Sequence, residues 1–83
     1  MNPQIYQETL YEAVRTVLHR AAYRANTADN FTELKNAAQL FHGALEIAQL
    51  LDIDAHLYST IEDEWQSVFA RNQRRITEND ESW

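Results

Sequence analysis

Residues 30–51 of the chain, NFTELKNAAQLFHGALEIAQLL, predict a long helix that is apolar over more than half of its surface. At 100° per residue its polar side chains share one narrow sector: Thr32, Lys35, Asn36, Gln39, His42 and Glu46. The apolar residues fill an arc of roughly 200° on the other side. An arc of this width indicates a helix that packs between two neighbours or meets a second chain.

The sequence on either side of this stretch predicts two more helices. Apolar residues recur every three or four positions, and the 83 residues include one glycine and one proline, so the turns that strands need are missing. We expect helices over about 3–26, 30–51 and 54–76, with Asn2, Asn30 and Asp54 as N-caps. Because the connections are short, neighbouring helices should be antiparallel. The predicted fold is an all-α, up-down-up three-helix bundle, and the alternative is a helical hairpin completed by dimerisation.

The length of the chain predicts one domain, a helical unit over residues 1–76. Residues 77–83 are polar and acidic, and we expect them to form a flexible tail. Trp65 lies on the apolar stripe of the third helix and is expected in the core. Trp83, on the predicted tail, either folds back onto the bundle or serves as an exposed interface anchor.

Composition argues against several classes of function. The chain has no cysteine, and its formal net charge of −6 does not suit direct binding to nucleic acid. It lacks an apolar run of membrane-spanning length and a signal-like amino terminus, so we expect a soluble cytoplasmic protein. With a single glycine, within a helix, phosphate-cradling loops and nucleophile elbows are not possible. The sequence therefore predicts a protein that is not an enzyme and has no cofactor.

Two groups of side chains have a spacing that a metal ion could use. His42 and Glu46 are four residues apart on the second helix, and Asp52, Asp54 and His56 cluster at the next turn. Neither group matches the Glu-x-x-His pairs of di-iron bundles or a His-Glu-x-x-His motif. We therefore assign no metal site, and both groups stay open as candidates.

The topology predicts that carboxylates gather at one end of the bundle with no base among them: Glu8, Glu12, Glu46, Asp52, Asp54, Glu62, Asp63 and Glu64. Most of the basic residues should gather at the other end. Helix dipoles account for some of these charges, such as Glu8 and Asp54, but not for Glu46, Asp52 or Glu64. The leading hypothesis is a regulator or inhibitor that docks this acidic end on a basic partner protein, including a nucleic-acid-binding one. The expected contact residues are Glu46, Asp52, Asp54, Glu62, Asp63 and Glu64.

The alternative hypothesis belongs to another class, a self-assembling structural or adaptor protein such as a homodimer. Leu40, Ile47 and Leu51 lie at one edge of the apolar arc of the second helix and would face the second chain. Salt separates the two hypotheses, because charge-driven docking weakens as salt rises, whereas apolar association persists.

Overall fold

The computed structural model describes residues 3–81, with side chains for residues 4–79, and it confirms the predicted all-α three-helix bundle. Helix α1 runs over Pro3–Asn26, α2 over Phe31–Leu50 and α3 over Ala55–Glu81. Every pair of helices is in contact, and α1 and α2 make the most extensive contacts. The molecule is a rod of 56 × 17 × 16 Å. We call the end with the α1–α2 loop the loop end, and the end with the α2–α3 turn and the start of α1 the turn end.

Side chains cap the starts of α2 and α3 at the residues that the sequence predicted. The Asn30 side chain accepts a hydrogen bond from the Glu33 backbone N–H (2.9 Å), as expected of an N-cap. The Glu33 carboxylate bonds back to the backbone N–H of Asp29 (2.7 Å), one residue earlier than in the usual capping box. Asp54 caps α3 by accepting from the His56 backbone N–H (2.9 Å). Asn2 lies outside the described residues.

Helix α2 ends in a Schellman motif. The backbone N–H of Ile53 donates to the Ala48 carbonyl (3.0 Å), and that of Asp52 donates to the Gln49 carbonyl (3.1 Å). Asp52 has a φ of 61°, the left-handed conformation that glycine usually supplies at this position. Ile53 is buried and anchors the turn to the core.

The core lies along the axis of the rod and is built from one face of each helix. Its largest fully buried side chains are Trp65, Phe41, Leu34, Ile61 and Ile76. The rings of Phe41 and Trp65 stack with their centroids 5.0 Å apart and join α2 to α3. Trp65 is thus a core residue, as predicted.

Helix α3 is longer than predicted and continues through Glu81. The predicted end at residue 76 was wrong, because residues 77–81, which were assigned to the tail, are helical. Ile76 is fully buried, and no glycine or proline follows it, so the chain has no signal to leave the helix. Trp83 lies outside the described residues.

A polar cluster joins α1 and α3 at the loop end. Asn72 is 2% exposed, and its side-chain amide donates to Asn26 Oδ1 (2.8 Å) and to the Val68 carbonyl (2.9 Å). Arg75 donates to the backbone carbonyls of Ala25 (3.1 Å) and Ala28 (2.9 Å). The Ala25 carbonyl also accepts from the Ala28 backbone N–H (3.3 Å), so Arg75 adds a charged hydrogen bond at the end of α1 and another in the loop that follows it.

Candidate functional site

The start of α1 is tied to the α2–α3 turn by side-chain hydrogen bonds. The Tyr6 hydroxyl donates to the Leu51 carbonyl (2.7 Å), and Gln7 Nε2 donates to the Asp52 carbonyl (2.9 Å). Gln7 Oε1 accepts from the Asp54 backbone N–H (2.8 Å), so a single amide holds both sides of the turn. The start of α1 therefore lies beside the α2–α3 turn, as predicted. The acidic end depends on this arrangement.

The six carboxylates proposed as contacts surround the turn end and do not share one flat face. Five of them are exposed, and Glu62 is half-buried. Glu46 lies one helical turn after His42, a residue that lines the α2–α3 side of the bundle. Asp63 is opposite Ile61 and Trp65 on α3 and faces solvent. Asp54 already accepts a hydrogen bond as the N-cap of α3.

The prediction of an acidic end without a base was wrong, because Arg15 reaches it. Arg15 pairs with Glu64 at 3.6 Å, and its Nη1 donates to the Tyr11 hydroxyl (3.0 Å). The hydrogen bond to Tyr11, followed by the charge of Glu64, raises the pKa of Arg15. The two residues meet because α1 and α3 run in the same direction and Arg15 and Glu64 lie at similar heights along them. Glu64 therefore has a partner within the chain and is a weaker contact candidate than Asp63.

Glu62 lies beside the Tyr58 hydroxyl on α3. Burial raises the pKa of Tyr58, and the hydrogen bond to Glu62 raises it further. The hydroxyl is the donor in this pair, because the carboxylate can only accept.

A groove opens at the turn end between the last turn of α2 and the first turn of α3. It encloses about 380 Å³ and is lined by Gln49, Asp52, Ile53, Ala55, Tyr58 and Ser59. We call it the turn groove. It combines apolar residues, Ile53 and Ala55, with a carboxylate, Asp52, and the Tyr58 hydroxyl. The contribution of Tyr58 was not predicted, because its place in the groove depends on how the α2–α3 turn packs.

The apolar residues proposed for self-association are placed differently from one another. Ile47 is 59% exposed and Leu51 is 46% exposed, and both line a groove between α1 and α2. Leu40 is half-buried and packs against the core, so it offers less free surface than predicted. Leu50, which is 78% exposed, was missed. The sequence could have shown it, because the helical period places Leu50 among the polar residues of α2, on the side that faces solvent.

The candidate group of Asp52, Asp54 and His56 does not become a ligand set. Among the described side chains, no group of three or more His, Asp and Glu residues lies close enough to hold a metal ion. The Asp54 carboxylate accepts the His56 backbone N–H, an arrangement that caps α3. Over the same part of the chain, none of the three helices combines the length and apolarity needed to cross a membrane.

Comparison of the chain with protein-family models, with curated proteins and with solved structures finds no match. The function of the chain must therefore be inferred from the geometry of the turn end and of the two grooves.

Proposed function

We propose that this chain is a small, non-enzymatic protein-binding module that docks its turn end on a partner protein with a basic surface. One observation carries the proposal: exposed carboxylates and exposed apolar side chains concentrate at the same end. Of the seven large apolar side chains exposed within residues 4–79, five are at the turn end: Ile5, Tyr6, Ile47, Leu50 and Leu51. A surface of both kinds suits a protein partner, because apolar area supplies affinity and charge supplies orientation.

The turn groove suits a lysine or arginine side chain of the partner. Such a side chain has a long apolar stem and a charged head. It packs best where the stem contacts apolar residues and the head contacts polar groups or water. Ile53 and Ala55 would receive the stem, while Asp52 and the Tyr58–Glu62 pair would receive the head. Glu46 and Asp63 would add long-range attraction around the groove.

The net charge of −6 favours fast association with a basic partner. A partner that binds nucleic acid has the required surface, and occupying that surface would inhibit it. The module would act as a regulator by covering a site rather than by chemistry.

The proposal is tested with two variants that lose the same charge. Asp52→Asn/Glu62→Gln removes two carboxylates beside the turn groove, and Asp29→Asn/Glu78→Gln removes two elsewhere. The probe is a helical peptide of lysine, arginine and leucine, titrated into the labelled protein and followed by NMR at low salt.

We expect the peptide to shift the resonances of the turn groove. The first variant should weaken binding at least about tenfold, and the second no more than about twofold. Affinity capture from lysate of the source cell, with the same two variants, then identifies the natural partner. Equal binding by both variants, or peptide shifts spread evenly over the molecule, would contradict the proposal.

A further inference from the structure

Helices α1 and α2 share an apolar groove on the outside of the bundle. It encloses about 200 Å³, and all eight of its lining residues are apolar: Leu10, Ala13, Val14, Val17, Ala44, Ile47, Ala48 and Leu51. We call it the α1–α2 groove. Its wall residues Ile47 and Leu51 keep about half of their surface in water, which is unfavourable for large aliphatic side chains unless another surface covers them.

The two ends of this groove carry opposite charges. At the turn end it stops at Leu51, and the exposed carboxylate of Asp52 follows directly. Toward the loop end, the surface between α1 and α2 continues into a polar pocket that includes Arg24 and Glu33. Arg20, Arg24 and Glu33 are all exposed there, and Glu33 also accepts from the Asp29 backbone N–H. The face therefore runs from the Asp52 carboxylate, across an apolar centre, to two guanidinium groups and one carboxylate, so its loop end has a net positive charge.

The spacing of these charges suits a partner that carries the same surface in the opposite direction. Because Gln7 donates a hydrogen bond to Asp52, the Asp52 end of the groove lies beside Gln7 along the axis of the bundle. Arg24 is 17 residues further along α1, or about 26 Å at 1.5 Å per residue. Val14 and Val17 lie near the midpoint of that distance and are part of the apolar centre.

We propose that a second copy of this chain covers the α1–α2 groove in an antiparallel, two-fold symmetric dimer. Turning one copy end for end lays apolar centre on apolar centre and brings Asp52 of each copy to the Arg20 and Arg24 end of the other. A two-fold interface uses the same patch twice, so both ion pairs form together. A parallel arrangement would instead place like charges side by side. The interface shares the Asp52 carboxylate with the turn groove, but its tests measure the mass and the direction of the two copies and need no basic partner, so they can fail or succeed independently of the proposed function.

Small residues allow the two copies to approach closely. Ala13 and Ala44 line the centre of the groove. Because their side chains are single methyl groups, a second helix can come close to the groove there.

The first test is the mass of the protein by sedimentation equilibrium, from about 1 µM to about 1 mM, a range that covers moderate affinities. We expect the mass to rise from 9.7 kDa to twice that value. Ile47→Asn should raise the dissociation constant at least about tenfold, because each copy loses an apolar contact. Leu50→Asn is the matched control, since Leu50 is more exposed but does not line the groove. A single-chain mass for the wild type at all concentrations, or equal weakening by both variants, would overturn the proposal.

The second test is the direction of the two copies. The chain has no cysteine, so an introduced thiol is unique. Thr9→Cys and Arg20→Cys place thiols toward opposite ends of α1 at exposed positions, and the two proteins are mixed under mild oxidation. An antiparallel dimer favours the mixed 9–20 disulfide over either homodisulfide. Homodisulfides that equal or exceed the mixed product would overturn the antiparallel arrangement.

Discussion

The two ends of the bundle use their polar side chains in opposite ways. At the loop end, Arg75 and Asn72 turn inward and bond to the end of α1. At the turn end, Asp52 and Asp63 are exposed, and so is the side chain of Leu50. The first arrangement stabilises the fold, because each buried polar group has a partner. The second leaves charge and apolar surface available to another molecule.

Within one small domain, the polar groups of the loop end therefore stabilise the fold, whereas exposed carboxylates at the turn end are available to bind another molecule. The buried Asn72 helps to fix how α3 sits on α1, since another register would break its hydrogen bond to Asn26. Several carboxylates at the turn end also have partners: Asp54 caps α3, Glu64 pairs with Arg15, and Glu62 accepts from Tyr58. These carboxylates are not buried as Asn72 is. Loss of a charged side chain should therefore lower stability most at the loop end, and at the turn end it should weaken binding.

The largest effect on stability is expected at the loop end from Arg75→Met. Methionine keeps much of the apolar stem but loses the charged hydrogen bonds to Ala25 and Ala28, which should lower the free energy of unfolding by about 2 kcal/mol. Urea denaturation followed by circular dichroism measures the change. Arg74→Met is the matched control, because this neighbour is exposed, and it should change stability by less than about 0.5 kcal/mol. Equal losses would mean that the inward bonds of Arg75 do not matter.

The next largest effect is expected from Gln7→Ala, which tests the one amide that ties the turn end together. Loss of its hydrogen bonds to Asp52 and Asp54 should lower the free energy of unfolding by about 1 kcal/mol. Gln66→Ala, the same substitution at an exposed position of α3, serves as the control. Hydrogen exchange should also quicken at the α2–α3 turn in the first variant. Unchanged exchange there would show that Gln7 does not hold the turn.

A gain in stability is expected from Asp52→Gly. Because Asp52 has a φ of 61°, glycine should relieve backbone strain and raise the free energy of unfolding by about 0.5–1 kcal/mol. Asp52→Asn, which removes the charge but keeps a side chain that tolerates this conformation, should leave stability near the wild-type value. Thermal melts of the three proteins measure the order. A glycine variant that is no more stable than the asparagine variant would contradict a strained turn.

The smallest effect on stability is expected from Glu46→Gln/Asp63→Asn. Both side chains are exposed at the turn end, so the free energy of unfolding should stay within about 0.5 kcal/mol of the wild type. Binding of the basic peptide probe should nevertheless weaken and become less dependent on salt. A loss of stability comparable to that of Arg75→Met would remove the distinction between the two ends.

Much of the fold was predictable because it depends on local signals. Asn30 and Asp54 were recognised as caps, and Trp65 was recognised as core, since each follows from the residue type and its place in the helical period. The continuation of α3 beyond Ile76 was missed, because a polar, acidic composition resembles a tail. In such a segment, helix and coil differ by small free energies, and the buried side chain just before it decides between them.

The candidate site was predictable in part. The gathering of carboxylates at one end followed from helix direction and loop length. The pairing of Arg15 with Glu64, the contribution of Tyr58 to the turn groove and the inward turn of Arg75 did not follow, since each depends on contacts between residues far apart in the sequence.

The sequence by itself determined the three helices, where they break and which faces are apolar, because propensity, capping and periodicity act over a few residues. Only the tertiary structure decided which charges are committed to the fold and which remain open to solvent. The physical reason is that a hydrogen bond or an ion pair requires two groups within about 3–4 Å. For Arg75 and Ala25, or Arg15 and Glu64, that proximity exists only after the helices have packed.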